Sequence, residues 1–362
     1  MALIMSPTSN QITSGSSVFG SGTGSYDASG NTTQILGNTA SYNGAGRMSS
    51  ANFNGATAQF IYNALGERIY KNASGSGVTL FMYDEGHHLI GEYGNSGNLI
   101  EETVWMDDTP VATLRPSGSG IAIYYVHTDH LNTPRKVSVP GSNAVVWRTD
   151  LDPFEVFPAD NVPGDGVNQN PSGLGNFVFN LGFPGQYLDQ ETSIGYNFHR
   201  DYAAALGRYL ESDPIGLDSG INTYAYADND PLDTFDPLGL YRVLPGIPAP
   251  SPEIDALLNC IESRTGLRLT VTSTSTISKV HAAGTPHARG VAVDLRYPTN
   301  PSDAGKILCA AGACGAEFAL DEAQHPSAHA TGPHIHIQIP RGKGGGRGDL
   351  PSKTCGNGNC DP

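Results

Sequence analysis

The clearest alternation of apolar and polar positions lies in the last third of the chain. From Glu253 to Arg264, Ile254, Leu257, Leu258 and Ile261 fall on one face of a helix, after a Ser251-Pro252 pair suited to its start and with acidic residues in the first turn. Leu267–Thr274 alternates with β-branched residues and predicts a strand. In residues 290–295, Val291, Val293 and Leu295 face one way, and Ala292 and Asp294 the other. Across Pro333–Ile339, His334, His336 and Gln338 share one face of a strand, while Ile335, Ile337 and Ile339 share the opposite face.

The first 240 residues carry a repeated word instead. Tyr26-Asp27-Ala28-Ser29-Gly30, Tyr42-Asn43-Gly44-Ala45-Gly46 and Tyr62-Asn63-Ala64-Leu65-Gly66 share a Tyr-Asp/Asn-x-x-Gly core, and Tyr83-Asp84-Glu85-Gly86 follows. Asp or Asn followed by Gly at these offsets is turn chemistry, and an aromatic packs well at a strand end. Each unit reads as a hairpin stacked on its neighbours. The composition agrees: 45 Gly, 25 Pro and 15% charged residues suit short strands and turns.

A length of 362 residues allows two domains. Charge divides them. Residues 1–240 hold 9 Lys+Arg against 25 Asp+Glu, a net of −16, whereas residues 241–362 hold 11 against 10, a net of +1; together they give the −15 of the whole chain. An acidic first part argues against nucleic acid as a partner, because phosphates would repel it. No apolar run is long enough to span a bilayer. The start, Met1 to Pro7, lacks the basic and apolar regions of a signal peptide, so export is expected to depend on other machinery. All five cysteines follow residue 250, and Cys309/Cys314 and Cys355/Cys360 are each spaced for a small disulfide loop, with buried free thiols as the alternative.

The repeated word is similar to YD repeats. Tyr124-Tyr125-Val126-His127-Thr128-Asp129-His130-Leu131-Asn132-Thr133-Pro134-Arg135 resembles a signature segment of that family, with Asn132 where Gly is usual. Asp152-Pro153-Phe154-Glu155 resembles its Asp-Pro-Phe turn, and Gly185 to Leu240 resembles the Rhs core-associated region. The resemblance implies an all-β scaffold over residues 1–240 that forms a shell around a C-terminal cargo. About 240 residues carry too little surface to enclose a domain of about 120. His127 and His130 read as scaffold residues, since no third ligand is near in sequence.

Asp213-Pro-Ile-Gly-Leu217 and Asp236-Pro-Leu-Gly-Leu240 are nearly one word written twice. In the Rhs family this arrangement implies self-cleavage after the final Leu, here between Leu240 and Tyr241. Asp213 and Asp236 are the candidate catalytic carboxylates. Brought together, two carboxylates cannot both ionise comfortably, and one retains a proton. The alternative is a pair of structural Asp-Pro turns. The Pro-rich run from Val243 to Pro252 reads as an extended linker over 241–252, before a domain at 253–340 with a Gly-rich tail to 362.

An Asp on the small-residue face of an apolar strand is costly to bury without a partner, and a metal ion is such a partner. Two His and one carboxylate make a tetrahedral site with one open position, the arrangement of catalytic zinc. His287-x6-Asp294 followed by His334-x-His336 resembles the lysostaphin and D-alanyl-D-alanine metallopeptidases. That resemblance implies a small α+β zinc peptidase domain in which His287, Asp294 and His336 hold Zn2+ and His334 is the general base or electrostatic stabiliser. It also implies a peptidoglycan peptide substrate. The substrate-binding Arg of those relatives has no counterpart in Thr272–Ile277; Arg268 and Arg289 are its candidate substitutes. His281, His325, His329, Glu317 and Asp321 are weaker candidates for the site.

The leading expectation is a polymorphic toxin, secreted or delivered to the periplasm of a target cell, with an immunity protein guarding the producer. The contrasting expectation is a non-enzymatic surface or secretion protein whose tail is a relic or a structural zinc site.

Overall fold

Each tyrosine of the repeated word ends a strand. Tyr26, Tyr42, Tyr62 and Tyr83 are the last residues of β3 (Gly20–Tyr26), β5 (Asn38–Tyr42), β7 (Ala56–Tyr62) and β9 (Gly77–Tyr83). The next residue folds the chain back: Asp27 Oδ1 accepts the backbone N–H groups of Ser29 and Asn31, and Asn43, Asn63 and Asp84 repeat the pattern. A side-chain oxygen thereby satisfies two donors that the turn leaves unpaired. The hydroxyls of Tyr42, Tyr62 and Tyr83 donate to the carbonyls of Thr32, Met48 and Arg68 at 3.0, 2.7 and 3.2 Å, latching each hairpin to the one before it. Asp129 builds a further copy with Leu131 and Thr133. Asn132, at φ 67°, takes the left-handed position that Gly30, Gly46 and Gly66 occupy in the earlier turns, a conformation Asn tolerates.

The computed structural model describes residues 2–149, 154, 177–214, 222–240, 242–244, 247, 250–265, 267, 269–274, 286–287, 291–325 and 333–339. The hairpins continue as one 15-stranded antiparallel sheet in sequence order, from β1 (Ala2–Met5) to β15 (Val145–Arg148). A second antiparallel sheet follows, made of β16 (Tyr187–Asp189), β17 (Ile194–Asn197), β18 (Arg200–Ala203) and β19 (Arg208–Tyr209). Phe81, Val137 and Trp147 of the large sheet share a buried core with Tyr187 and Tyr196 of the second. Arg68 is fully buried there; its guanidinium pairs with Asp189 at 2.6 Å and lies 4.4 Å from the Tyr196 ring centroid. A charge so placed requires such partners.

The chain divides into two compact units, Met1–Asp213 with Tyr224–Gly239, and Pro214–Thr223 with Leu240–Pro362. The second unit holds a five-stranded sheet in the order β20-β21-β22-β24-β23, with β20 (Arg242–Val243), β21 (Thr270–Ser273), β22 (Ala292–Arg296), β23 (Phe318–Asp321) and β24 (His334–Gln338). Helix α1 (Pro252–Thr265) begins where Ser251 Oγ accepts the Ile254 N–H, and Ile254, Leu257, Leu258 and Ile261 are all buried as their spacing predicts. Helix α2 (Pro301–Ala313) starts at Asn300, whose side chain accepts the Ser302 N–H. The fold is therefore an all-β shell segment followed by a small α+β region, as expected.

Several details differ from expectation. The strand read over Leu267–Thr274 is confined to Thr270–Ser273. Val243, placed in an unpacked linker, is fully buried and pairs in parallel with Val271, because Arg242 and Val243 suffice to extend the sheet edge beside β21. The Cys309/Cys314 loop does not form: Cys314 bonds to Cys260, joining α1 to the end of α2, and Cys309 lies in a disulfide of its own. Helix geometry decides this, since α2 runs through Cys309 to Ala313 and fixes the two cysteines on a rigid frame. The free-thiol alternative fails for these three cysteines. Cys355/Cys360, His281, His329, Arg268, Arg289 and Tyr241 lie outside the described residues. Among the described residues, no helix is long and apolar enough to cross a membrane.

Candidate metal centre

β22 and β24 are antiparallel neighbours whose register sets Asp294 directly opposite His336 and Arg296 opposite His334. Ile335 and Ile337 are completely buried, which turns the intervening histidines to the other face with Asp294. His287 reaches the same face from outside the sheet. Its Nδ1–H donates to the Thr274 carbonyl at 2.6 Å, so Nε2 presents a bare lone pair. That Nε2 lies 3.1 Å from Asp294 Oδ1 and 3.2 Å from His336 Nδ1, and His336 Nδ1 lies 2.8 Å from the same carboxylate oxygen.

Three electron-pair donors thus converge on one point. Ligands held about 2.0–2.1 Å from a tetrahedral ion sit roughly 3.3 Å apart, close to the observed spacing. A divalent ion placed among them would satisfy all three donors at once. His287 and Asp294 are buried at 2% and 6% exposure, and His336 is half-buried. Burial pushes the Asp294 carboxyl up, but the His287 and His336 imidazoles beside it outweigh that and hold the group well below the usual range. This His/Asp/His triad is capable of coordinating a metal ion and is the one such cluster among the described residues.

His334 stands beside the triad, its Nε2 3.6 Å from Asp294 Oδ1. On its other side is a residue that sequence reasoning passed over. Glu322 Oε2 is buried, has no hydrogen-bond partner among the described residues, and lies 3.5 Å from His334 Nε2. The Glu322 N–H donates to the His334 carbonyl, which ties the two residues together. Asp321, the weaker candidate next to it, accepts from the Tyr297 hydroxyl and from the N–H groups of Ala323 and Gln324, and so serves a turn. His127 and His130 contact Ser138 and the Leu232 carbonyl within the shell.

Asp213 and Asp236 are brought together in the first unit, but not as a bare pair. Arg200, fully buried, binds Asp213 at 3.0 Å and Asp236 at 3.1 Å, and its Nε–H donates to the Gly239 carbonyl at 2.6 Å. Tyr209 adds its hydroxyl to Asp236 at 3.0 Å. The guanidinium thus stands between the two carboxylates, an opposite charge that the expectation of a bare pair did not include. Gly239, at φ 71°, could carry no side chain here, because a Cβ would stand 2.7 Å from the Asn197 carbonyl oxygen.

Known proteins match part of the chain. Toxin protein Tse5 of Pseudomonas aeruginosa is 36% identical over 118 residues, covering 33% of this chain and 8% of its own length. Double-stranded DNA deaminase toxin A of Burkholderia cenocepacia is 30% identical over 207 residues, covering 50% of this chain and 14% of its own. The chain therefore spans only a small part of these relatives. A chain in the crystal structure of TcdB2-TccC3-TEV aligns over 59% of this chain and 11% of its own, at 19% identity and a TM-score of 0.44. The model of the Teneurin YD-shell family matches residues 14–232, more than half of the sequence, and the protein belongs to that family.

Proposed function

We propose that the second unit is a zinc peptidase that hydrolyses peptide bonds of bacterial peptidoglycan, carried by a YD-shell protein that acts as a secreted toxin. The observation that carries this reading is the convergence of His287 Nε2, Asp294 Oδ1 and His336 Nδ1, three electron-pair donors at the spacing of a tetrahedral ion. Zinc bound there would acidify water and polarise the scissile carbonyl. The chain's own residues supply the rest. The Thr274 carbonyl fixes the His287 tautomer. His334 holds or passes a proton at Nε2 beside the reacting bond, the role of an acid-base or stabilising group.

The toxin reading draws on the relatives that are themselves named toxins. It brings in an immunity protein in the producer, a secretion machinery, and delivery to the periplasm of a target cell. The Cys260–Cys314 disulfide suits such an oxidising compartment. Purified full-length chain is expected to contain about one zinc and to shorten murein peptides. A His336→Ala variant that is fully active would refute the assignment.

Self-cleavage between Leu240 and Tyr241 is a second activity, favoured by the Arg200 cluster that gathers Asp213, Asp236 and the carbonyl of Gly239, the residue before Leu240 in sequence. The intact mass of the purified chain tests it. Wild type should yield a fragment beginning at Tyr241 and Asp213→Asn should stay whole; an uncut wild type after prolonged incubation sinks the idea.

A further inference from the structure

The peptidase reading leaves open which end of a peptide the site grips. One side chain on the metal-facing surface has no task. Arg296 follows Asp294 by two residues on β22 and shares its face, and the register sets it opposite His334 just as Asp294 is set opposite His336. Two successive same-face rungs of this strand pair, with the Leu295–Ile335 rung between them, therefore carry the ligand pair and an Arg–His pair, about 6.7 Å apart along the strand. Arg296 is exposed and makes no hydrogen bond or ion pair among the described residues. Among the described residues, the carboxylates around the metal cluster have other neighbours. Asp294 is enclosed by His287 and His336, Glu322 faces His334, and Asp321 is held by Tyr297 and its own turn.

An arginine is charged at every working pH, and its planar fork matches a carboxylate with two parallel hydrogen bonds. In a peptide cut at its last bond, the terminal carboxylate lies one residue, about 3.6 Å, beyond the scissile carbonyl. A guanidinium based one rung from the ligands spans that gap. We propose that Arg296 binds the C-terminal carboxylate of the substrate, which makes the site a carboxypeptidase for peptides ending in a free acid and not an endopeptidase. This rests on the peptidase reading above and adds the substrate class to it.

The test uses the zinc-loaded full chain and one murein-type peptide in two forms, with a free C-terminal carboxylate and with that carboxylate amidated. Hydrolysis is followed by mass spectrometry, and binding of dye-labelled copies by fluorescence anisotropy. The free acid should bind and turn over about 10- to 100-fold better than the amide. Arg296→Ala should erase that preference, chiefly through KM, without loss of zinc, and Arg296→Lys should restore part of it. Equal handling of acid and amide by wild type, or a preference that survives in Arg296→Ala, overturns the proposal. A binding preference abolished by Arg296→Ala but with no hydrolysis of either peptide supports the carboxylate site and overturns the peptidase reading instead.

Discussion

Removing the Cys260–Cys314 disulfide should weaken the second unit selectively. The bond joins positions separated by 54 residues, which includes both the His287 and Asp294 segments. In the chain-entropy account, a loop of that length is worth about 4 kcal/mol, from the freedom denied to the unfolded chain. Cys309 lies inside the same loop and is also disulfide-bonded, so part of that freedom is already lost. The expected cost of Cys260→Ala/Cys314→Ala is therefore about 2–4 kcal/mol. Both cysteines are only half-buried, so lost packing adds little. The two units can be followed separately. Among the described residues the α-helices are α1 and α2, both in the second unit, while Trp105 and Trp147 belong to the first. In urea, the ellipticity midpoint at 222 nm should fall by about 1–2 M while the tryptophan fluorescence midpoint stays in place. A 222 nm midpoint that does not move in the double variant refutes the reasoning.

Chelation should act on the same transition: zinc at about a thousandfold over its Kd adds about 4 kcal/mol to the 222 nm signal, and His336→Ala should not respond. Glu322→Gln should keep its zinc and lose about 10- to 100-fold in kcat, since it removes the carboxylate facing His334; unchanged kcat contradicts that role. The shell should show an unusual pH dependence. Burial raises the Asp201 carboxyl to about 7 and raises Glu211 beside it, so the folded chain keeps a proton that an unfolded carboxylate, titrating near about 4, releases. The folded state binds more protons than the unfolded one in that window, so this contribution is complete below about pH 4 and declines as pH rises toward about 7. Asp201→Asn should flatten that slope in tryptophan-monitored unfolding, and an unaltered slope would count against the assignment.

What was legible in the sequence was whatever local chemistry fixes. The Tyr-Asp/Asn-x-x-Gly word specifies its own turn, because the Asp or Asn oxygen and the Gly or Asn at positive φ are all within five residues of chain. The alternation of 333–339 likewise placed His334 and His336 on one face, and the isolated Asp294 announced a partner. Helix α2 was missed because its Ala- and Gly-rich sequence carries a weak apolar stripe, and it stands only with its Asn300 cap and tertiary packing. Cysteine pairing was misread for a related reason, as spacing says nothing about where two helices meet.

The same division explains why the chemistry around the metal cluster had to wait for the fold. Glu322 sits twelve residues before His334, beyond the end of β23, in sequence with no periodic signal. Only the register of β23 against β24 brings its carboxylate to the imidazole. Arg296 had the opposite disguise: at a strand end it reads as ordinary surface charge, and only its rung opposite His334 gives it a neighbour worth having. Ligands can be found from a motif because a metal needs particular atoms. Residues that grip the substrate or steady a ligand's neighbour need only a direction, which backbone pairing supplies. Substrate preference in this unit should therefore follow changes at Arg296 and Glu322 with zinc content intact, whereas changes at His287, Asp294 or His336 should remove zinc and activity together.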